Sequence, residues 1–124
     1  MLACDYNAGR FPRAPSLRRS GGLAAVSALG VFEYMCNATN FVAALRAYGA
    51  PVLMSYTPLD ERAAAGGSFL ARFGLASMPR PAAAEALMAA AGLRLARQAS
   101  VRVPLPLVGG VDATTSVIGV WLPT

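Results

Sequence analysis

The chain contains no histidine and no lysine; all eleven of its basic residues are arginine. Without imidazole there is no Ser-His-Asp or Cys-His pair, no histidine-ligated zinc and no histidine general base. Without an ε-ammonium there is no Schiff-base lysine and no phosphate-loop lysine. Two cysteines, Cys4 and Cys36, are too few and too widely separated for a zinc site or a disulfide framework, and they read as reduced, buried thiols of a cytoplasmic protein. No apolar run reaches the roughly 18–20 residues that span a bilayer, so no membrane partner is expected.

What is present is apolar surface: 56% of the 124 residues are hydrophobic and 14% are charged, a balance that excludes disorder. Much of that share is alanine, which implies a thin core. The length suits a single domain spanning 1–124, and no internal repeat divides it. Residues 1–20 read as a strand end and an N-terminal loop, and 21–124 as an α/β core. The net charge of +5 raises nucleic acid as a partner, because clustered arginines release counterions from phosphates. The one cluster, Arg10, Arg13, Arg18 and Arg19, is interleaved with prolines and reads as a solvated loop in preference to a phosphate-binding arm. "LRRSGGLAAVSALG" resembles a twin-arginine export signal, but the leader before it is long and Glu33 closes the apolar run with no small-residue cleavage site.

Periodicity gives the elements. "LAAVSALGVF", Leu23 to Phe32, is a continuous apolar run of strand length, as in a parallel strand buried on both faces; a buried helix is the rival reading. Asn37 or Thr39 can cap a helix whose apolar residues Phe41, Val42, Leu45 and Tyr48 share a face, and Gly49 with Pro51 stops it. "PVLMSYT" is a second buried strand, so the order strand, helix, strand implies a parallel pair with a right-handed crossover. Residues 58–81 are irregular, with room for a brief helix over 68–73. Pro81 then opens a helix through "AAAEALMAAA", and Gly92 ends it. From Leu93 to Leu105 the odd positions are mostly apolar and the even ones mostly polar, which predicts a strand with one buried face. "VGGVDAT" offers a turn, and Thr114 to Leu122 returns as an antiparallel partner.

The segments "ALGVFEYM", "APVLMSY" and "LMAAAGLRL", in that order, resemble the carboxyl-terminal half of a class I S-adenosylmethionine-dependent methyltransferase. The likeness covers nearly the whole chain, with the case carried by order and spacing. It implies an α/β fold: an incomplete Rossmann-like methyltransferase sheet, with parallel strands, helices and a C-terminal antiparallel strand pair. It also implies the cofactor S-adenosylmethionine and a small-molecule methyl acceptor. By the resemblance Leu29, Gly30 and Val31 line the methionine end of the cofactor. Glu33 and Tyr34, as the catalytic pair, face the acceptor. The alternative is that Glu33 caps the following helix or lies in solvent with Tyr34 packed on it. "ACDYN" matches the end of the family's third strand, which places Asp5 at the adenine amino group, with Tyr6 and Asn7 beside the base; an acceptor-only carboxylate suits an exocyclic amine. Tyr56 reads as a core or rim residue before an acceptor contact.

The departures from the family matter as much. The glycine-rich loop after the first strand and the acid after the second have no counterpart, and Gly21 and Gly22 stand where an aromatic-aspartate pair usually precedes the fourth strand. Loss of the glycine-rich turn removes the main cofactor cradle. A chain starting late also leaves the edge of its first strand open, which predicts a homodimer, aggregation or a separately supplied N-terminal half. The alternative function is a non-catalytic, truncated α/β module associating through that strand edge.

Overall fold

The computed structural model describes Ala8, Arg10 and residues 23–58, 79–103 and 114–124. In chain order these form β1 (Val26–Ala28), a 3-10 turn (Phe32–Tyr34), α1 (Ala38–Ala47), β2 (Val52–Tyr56), α2 (Pro81–Ala90), β3 (Leu93–Val103) and β4 (Thr114–Pro123). The strands make one mixed sheet in the order β1-β2-β4-β3, with β1 and β2 parallel and the other two pairings antiparallel. The α/β architecture with a parallel pair and a C-terminal antiparallel pair is the one the sequence implied. The proposed short helix over 68–73 and the "VGGVDAT" turn lie outside the described residues, Thr114 apart.

Parallel neighbours cannot be joined by a tight turn, so the chain leaves β1, crosses the sheet as α1 and re-enters beside it. The cap is Asn37, whose Oδ1 accepts from the Asn40 amide at 3.0 Å; Thr39 lies inside the first turn. Phe41, Val42 and Leu45 are buried at the 3.6-residue spacing, and Gly49, at φ 69°, takes the left-handed conformation that ends the helix. α2 begins at Pro81, buries Ala84 and Met88, and is closed by Gly92 at φ 79°. Both helices lie on the face of the sheet that carries Val52, Met54 and Tyr56 from β2, Val117 and Trp121 from β4, and Leu93 from β3. Among the described residues no helix is long and apolar enough to cross a membrane.

Three expectations are corrected. The run from Leu23 to Phe32 is neither a long strand nor a helix: only Val26–Ala28 is strand, and among the described residues it forms a sheet edge with Ser27 exposed, not a rib buried on both faces. Gly30, at φ 63°, turns the chain out of the strand, and Phe32–Tyr34 then coils as a 3-10 turn closed by the Tyr34 amide on the Val31 carbonyl at 3.0 Å. Cys36 follows that turn and is exposed, not buried; Cys4 lies outside the described residues.

The third concerns β3. Leu95 pairs with Trp121 but Arg97 pairs with Val120, so Ala96 is an extra residue with no partner across the ladder. Because side chains alternate with period two, one inserted residue moves everything after it to the opposite face. Leu93 is therefore buried beneath α2 and Leu95 half-buried beside it. Arg97, Ala99 and Val101, which the alternation assigned to the same buried face, instead share the other face with Val120, Ile118 and Ser116 and are exposed.

Two local devices hold the far end of the sheet. The Gly92 carbonyl accepts from Arg46 Nε, from the Thr124 amide and from Thr124 Oγ1, each at 3.0 Å, while Arg46 donates from Nη2 to the Thr124 carbonyl at 2.8 Å. One arginine thus ties the end of α1 to the start of β3 and the end of β4, which lie side by side at one end of the pair. On β4 the Trp121 indole lies over Gly119: a Cβ there would stand 2.5 Å from the indole nitrogen and 3.3 Å from Leu95 Cδ1. Gly119→Ala overpacks this contact and is expected to destabilise the fold by about 1–3 kcal/mol, read from the midpoint of denaturant unfolding. An unchanged midpoint would show that the indole can move aside.

Candidate functional site

In open α/β sheets ligands gather beyond the carboxyl ends of the parallel strands. Here those ends are Ala28 and Tyr56, and the segment that follows β1, Leu29–Tyr34, is held by two hydrogen bonds, one to Ser55 near the end of β2 and one from Thr57 just beyond it. The Gly30 amide donates to Ser55 Oγ at 2.8 Å, fixing the turn that leaves β1. The Thr57 amide donates to Glu33 Oε1, bridging the turn after β1 to the residue after β2.

Glu33 is the unusual member. It is 5% exposed, and its second oxygen, Oε2, is buried with no hydrogen-bond partner among the described residues. It neither caps α1 nor lies in solvent. A carboxylate only accepts, so Oε2 is matched by a donor: an N–H, an O–H or a positively charged group. Tyr34, next in sequence, is 45% exposed and does not share its burial. Leu29 is 48% exposed, Gly30 has open space where a side chain would project, and Val31 packs on the core. The structure therefore gathers Leu29, Gly30, Val31, Glu33 and Tyr34 in one turn at the strand ends. Asp5, Tyr6 and Asn7 lie outside the described residues.

Tyr56 belongs to the core, 2% exposed, with its ring tilted against Phe32 at a centroid distance of 6.3 Å. Burial, and secondarily the negative charge of Glu85, push its phenol above the usual value of 10.0. Sequence reasoning missed Ser55 and Thr57, which hold the two turns, and Ser116, whose Oγ is 3.5 Å from Thr57 Oγ1. The available signal was "SYT", hydroxyl-bearing residues at the end of an apolar strand, where unpaired backbone amides need acceptors.

No family model matches the chain, and no curated protein matches it significantly in sequence. Solved structures do. A candidate methyltransferase of Bacillus halodurans C-125 superposes with a TM-score of 0.63 at 9% identity, over 82% of this chain and 70% of that one. Magnesium protoporphyrin IX methyltransferase of Synechocystis, solved with bound SAH, gives a TM-score of 0.56 at 13% identity, over 82% of this chain and 45% of that one. An enzyme described as a pericyclic reaction enzyme gives 0.56 at 17% identity, over 83% of this chain and 27% of that one. The chain thus has the Rossmann-like fold found in methyltransferases, and it spans less than half the length of two of these three neighbours.

Glu33→Ala removes the acceptor of the Thr57 amide and is expected to cost roughly 1–3 kcal/mol, whereas Glu33→Gln keeps that acceptor and costs less. Equal unfolding midpoints for the two variants would remove the bridging role. For Tyr56 the folded state retains its phenolic proton at pH values where the unfolded chain has lost it. Stability is accordingly complete below about pH 10 and falls as the pH rises beyond it. Tyr56→Phe should flatten that alkaline decline in a pH series of thermal melts; a decline identical to the parent's would assign it elsewhere.

Proposed function

We propose that this chain is the methyl-transfer lobe of an S-adenosylmethionine-dependent methyltransferase, corresponding to the carboxyl-terminal half of the class I fold, with a small molecule as acceptor. The observation that carries the reading is the buried, unpartnered Oε2 of Glu33 where the two parallel strands end. The neighbours' fold supports it, since two of the three are described as methyltransferases.

The residues present fit such a cofactor chemically. Open space over Gly30 and the exposed side chain of Leu29 leave room at the strand ends, and a carboxylate oxygen lacking a partner suits a ligand or acceptor that brings positive charge or a donor hydrogen. Leu29, Gly30 and Val31 would line its methionine end, with Asp5, Tyr6 and Asn7 beside the base. When bound, the cofactor supplies a methyl group on a positively charged sulfur. Glu33 accepts the hydrogen of the acceptor's nucleophilic atom and holds its lone pair toward the methyl group, and Tyr34 orients the acceptor from the exposed side of the turn. Methyl transfer of this kind needs alignment more than an elaborate acid and base, which is consistent with a chain lacking both histidine and lysine.

Isothermal titration and thermal-shift measurements with SAH test the reading. Because the glycine-rich cradle has no counterpart in this sequence, binding is expected to be weak: a saturable heat and an upward shift in melting temperature emerge only toward millimolar ligand, and neither occurring there would overturn the reading.

A further inference from the structure

Beyond the strand-end site, and independent of any methyl transfer, β3 presents an edge. It is 11 residues long, Leu93–Val103, and among the described residues it pairs with β4 alone, so the amides and carbonyls along its outer side have no ladder partner. β1, the opposite edge, offers three residues. From Ala96 to Arg102 every side chain of β3 is exposed, and the strand carries Arg94, Arg97 and Arg102 with no acid. The bulge at Ala96 sets where these charges stand. Arg97 is level with Val120 and Arg102 with Thr115, which alternate to opposite faces of β4, so the two guanidinium groups flank the edge from above and below the sheet.

We propose that the outer edge of β3 docks an acidic, extended segment of another protein, which adds to the sheet as a fifth strand. Strand addition takes its affinity from main-chain hydrogen bonds and its selectivity from the side chains that alternate beside them. A second copy of β3 is a poor occupant, because it would bring arginines against arginines with no acid to meet them, and like charges across a strand pair repel. The same arginines that guard the edge against self-pairing select a partner of the opposite sign.

Three fluorescent probes decide the matter on the full chain: a short peptide alternating glutamate with valine, the same peptide with lysine for glutamate, and a single-stranded oligonucleotide. The glutamate peptide is expected to bind at least tenfold more tightly than the lysine peptide, with slowed amide hydrogen exchange over 96–102. The double variant Arg97→Glu with Arg102→Glu, shown folded by its circular dichroism and melting temperature, should reverse the preference. Binding of the oligonucleotide with neither peptide bound would replace the proposal with a nucleic-acid surface. It would also be overturned by failure of the glutamate peptide to bind, by binding that leaves β3 exchange unchanged, or by a charge-reversed variant that keeps the original preference.

Discussion

The parallel pairing of β1 with β2 is the constraint on which the molecule depends. Two strands running the same way need a crossover, and α1 supplies it; its buried residues then become the core facing β2. Parallel strands also end on the same side, so whatever follows each is brought together without further design. Leu29–Tyr34 and Thr57 meet for that reason, and the bond from the Thr57 amide to Glu33 is the local consequence of a topological one. An antiparallel pairing of the same two strands would have placed these segments at opposite ends of the sheet.

Elements whose signal is local were legible in the sequence. Asn37, Gly49, Pro81 and Gly92 mark helix ends through capping and backbone conformation, which require no knowledge of the neighbours, and all four occupy the positions assigned to them. The antiparallel return of β4 onto β3 was legible because two extended segments lie close in sequence. The length of β1 was not, because an apolar run has no internal punctuation until a backbone turn provides it, and Gly30 within "ALGVF" was read as part of the strand. The bulge was hidden for a different reason: Ala96 fits either face of a sheet, so nothing in the side-chain pattern marks it as the surplus residue. At the site, Glu33 stood out as an acid closing an apolar run. Its partner did not, since the bond is to the backbone of a residue 24 positions away.

The bulge separates two uses of one strand. Before Ala96, Leu93 and Leu95 serve the core beside Trp121; after it, residues 97–102 are exposed, Arg97 and Arg102 among them, while the strand remains paired with β4. The Arg46 staple lies at the core end, where it fixes Gly92 and Thr124 and so anchors the packed part of the pair.

Two buried polar atoms among the described residues have no partner, Glu33 Oε2 and Trp121 Nε1, and they do not have the same meaning. Burying a tryptophan ring removes some 150–250 Å² from water, worth about 4–6 kcal/mol, which exceeds the roughly 1–3 kcal/mol cost of one unsatisfied N–H. Packing therefore accounts for Trp121, and Gly119 shows the backbone adapted to the ring. A glutamate has only two methylenes to bury, worth about 1.6 kcal/mol, against the larger penalty of desolvating a carboxylate. Its single bond to Thr57 could be made equally by a neutral amide, which would spare the charge. Core packing alone does not account for a carboxylate at position 33, which is why the proposed function rests on that residue. That asymmetry, and not the presence of an acid at a strand end, is what separates Glu33 from Trp121.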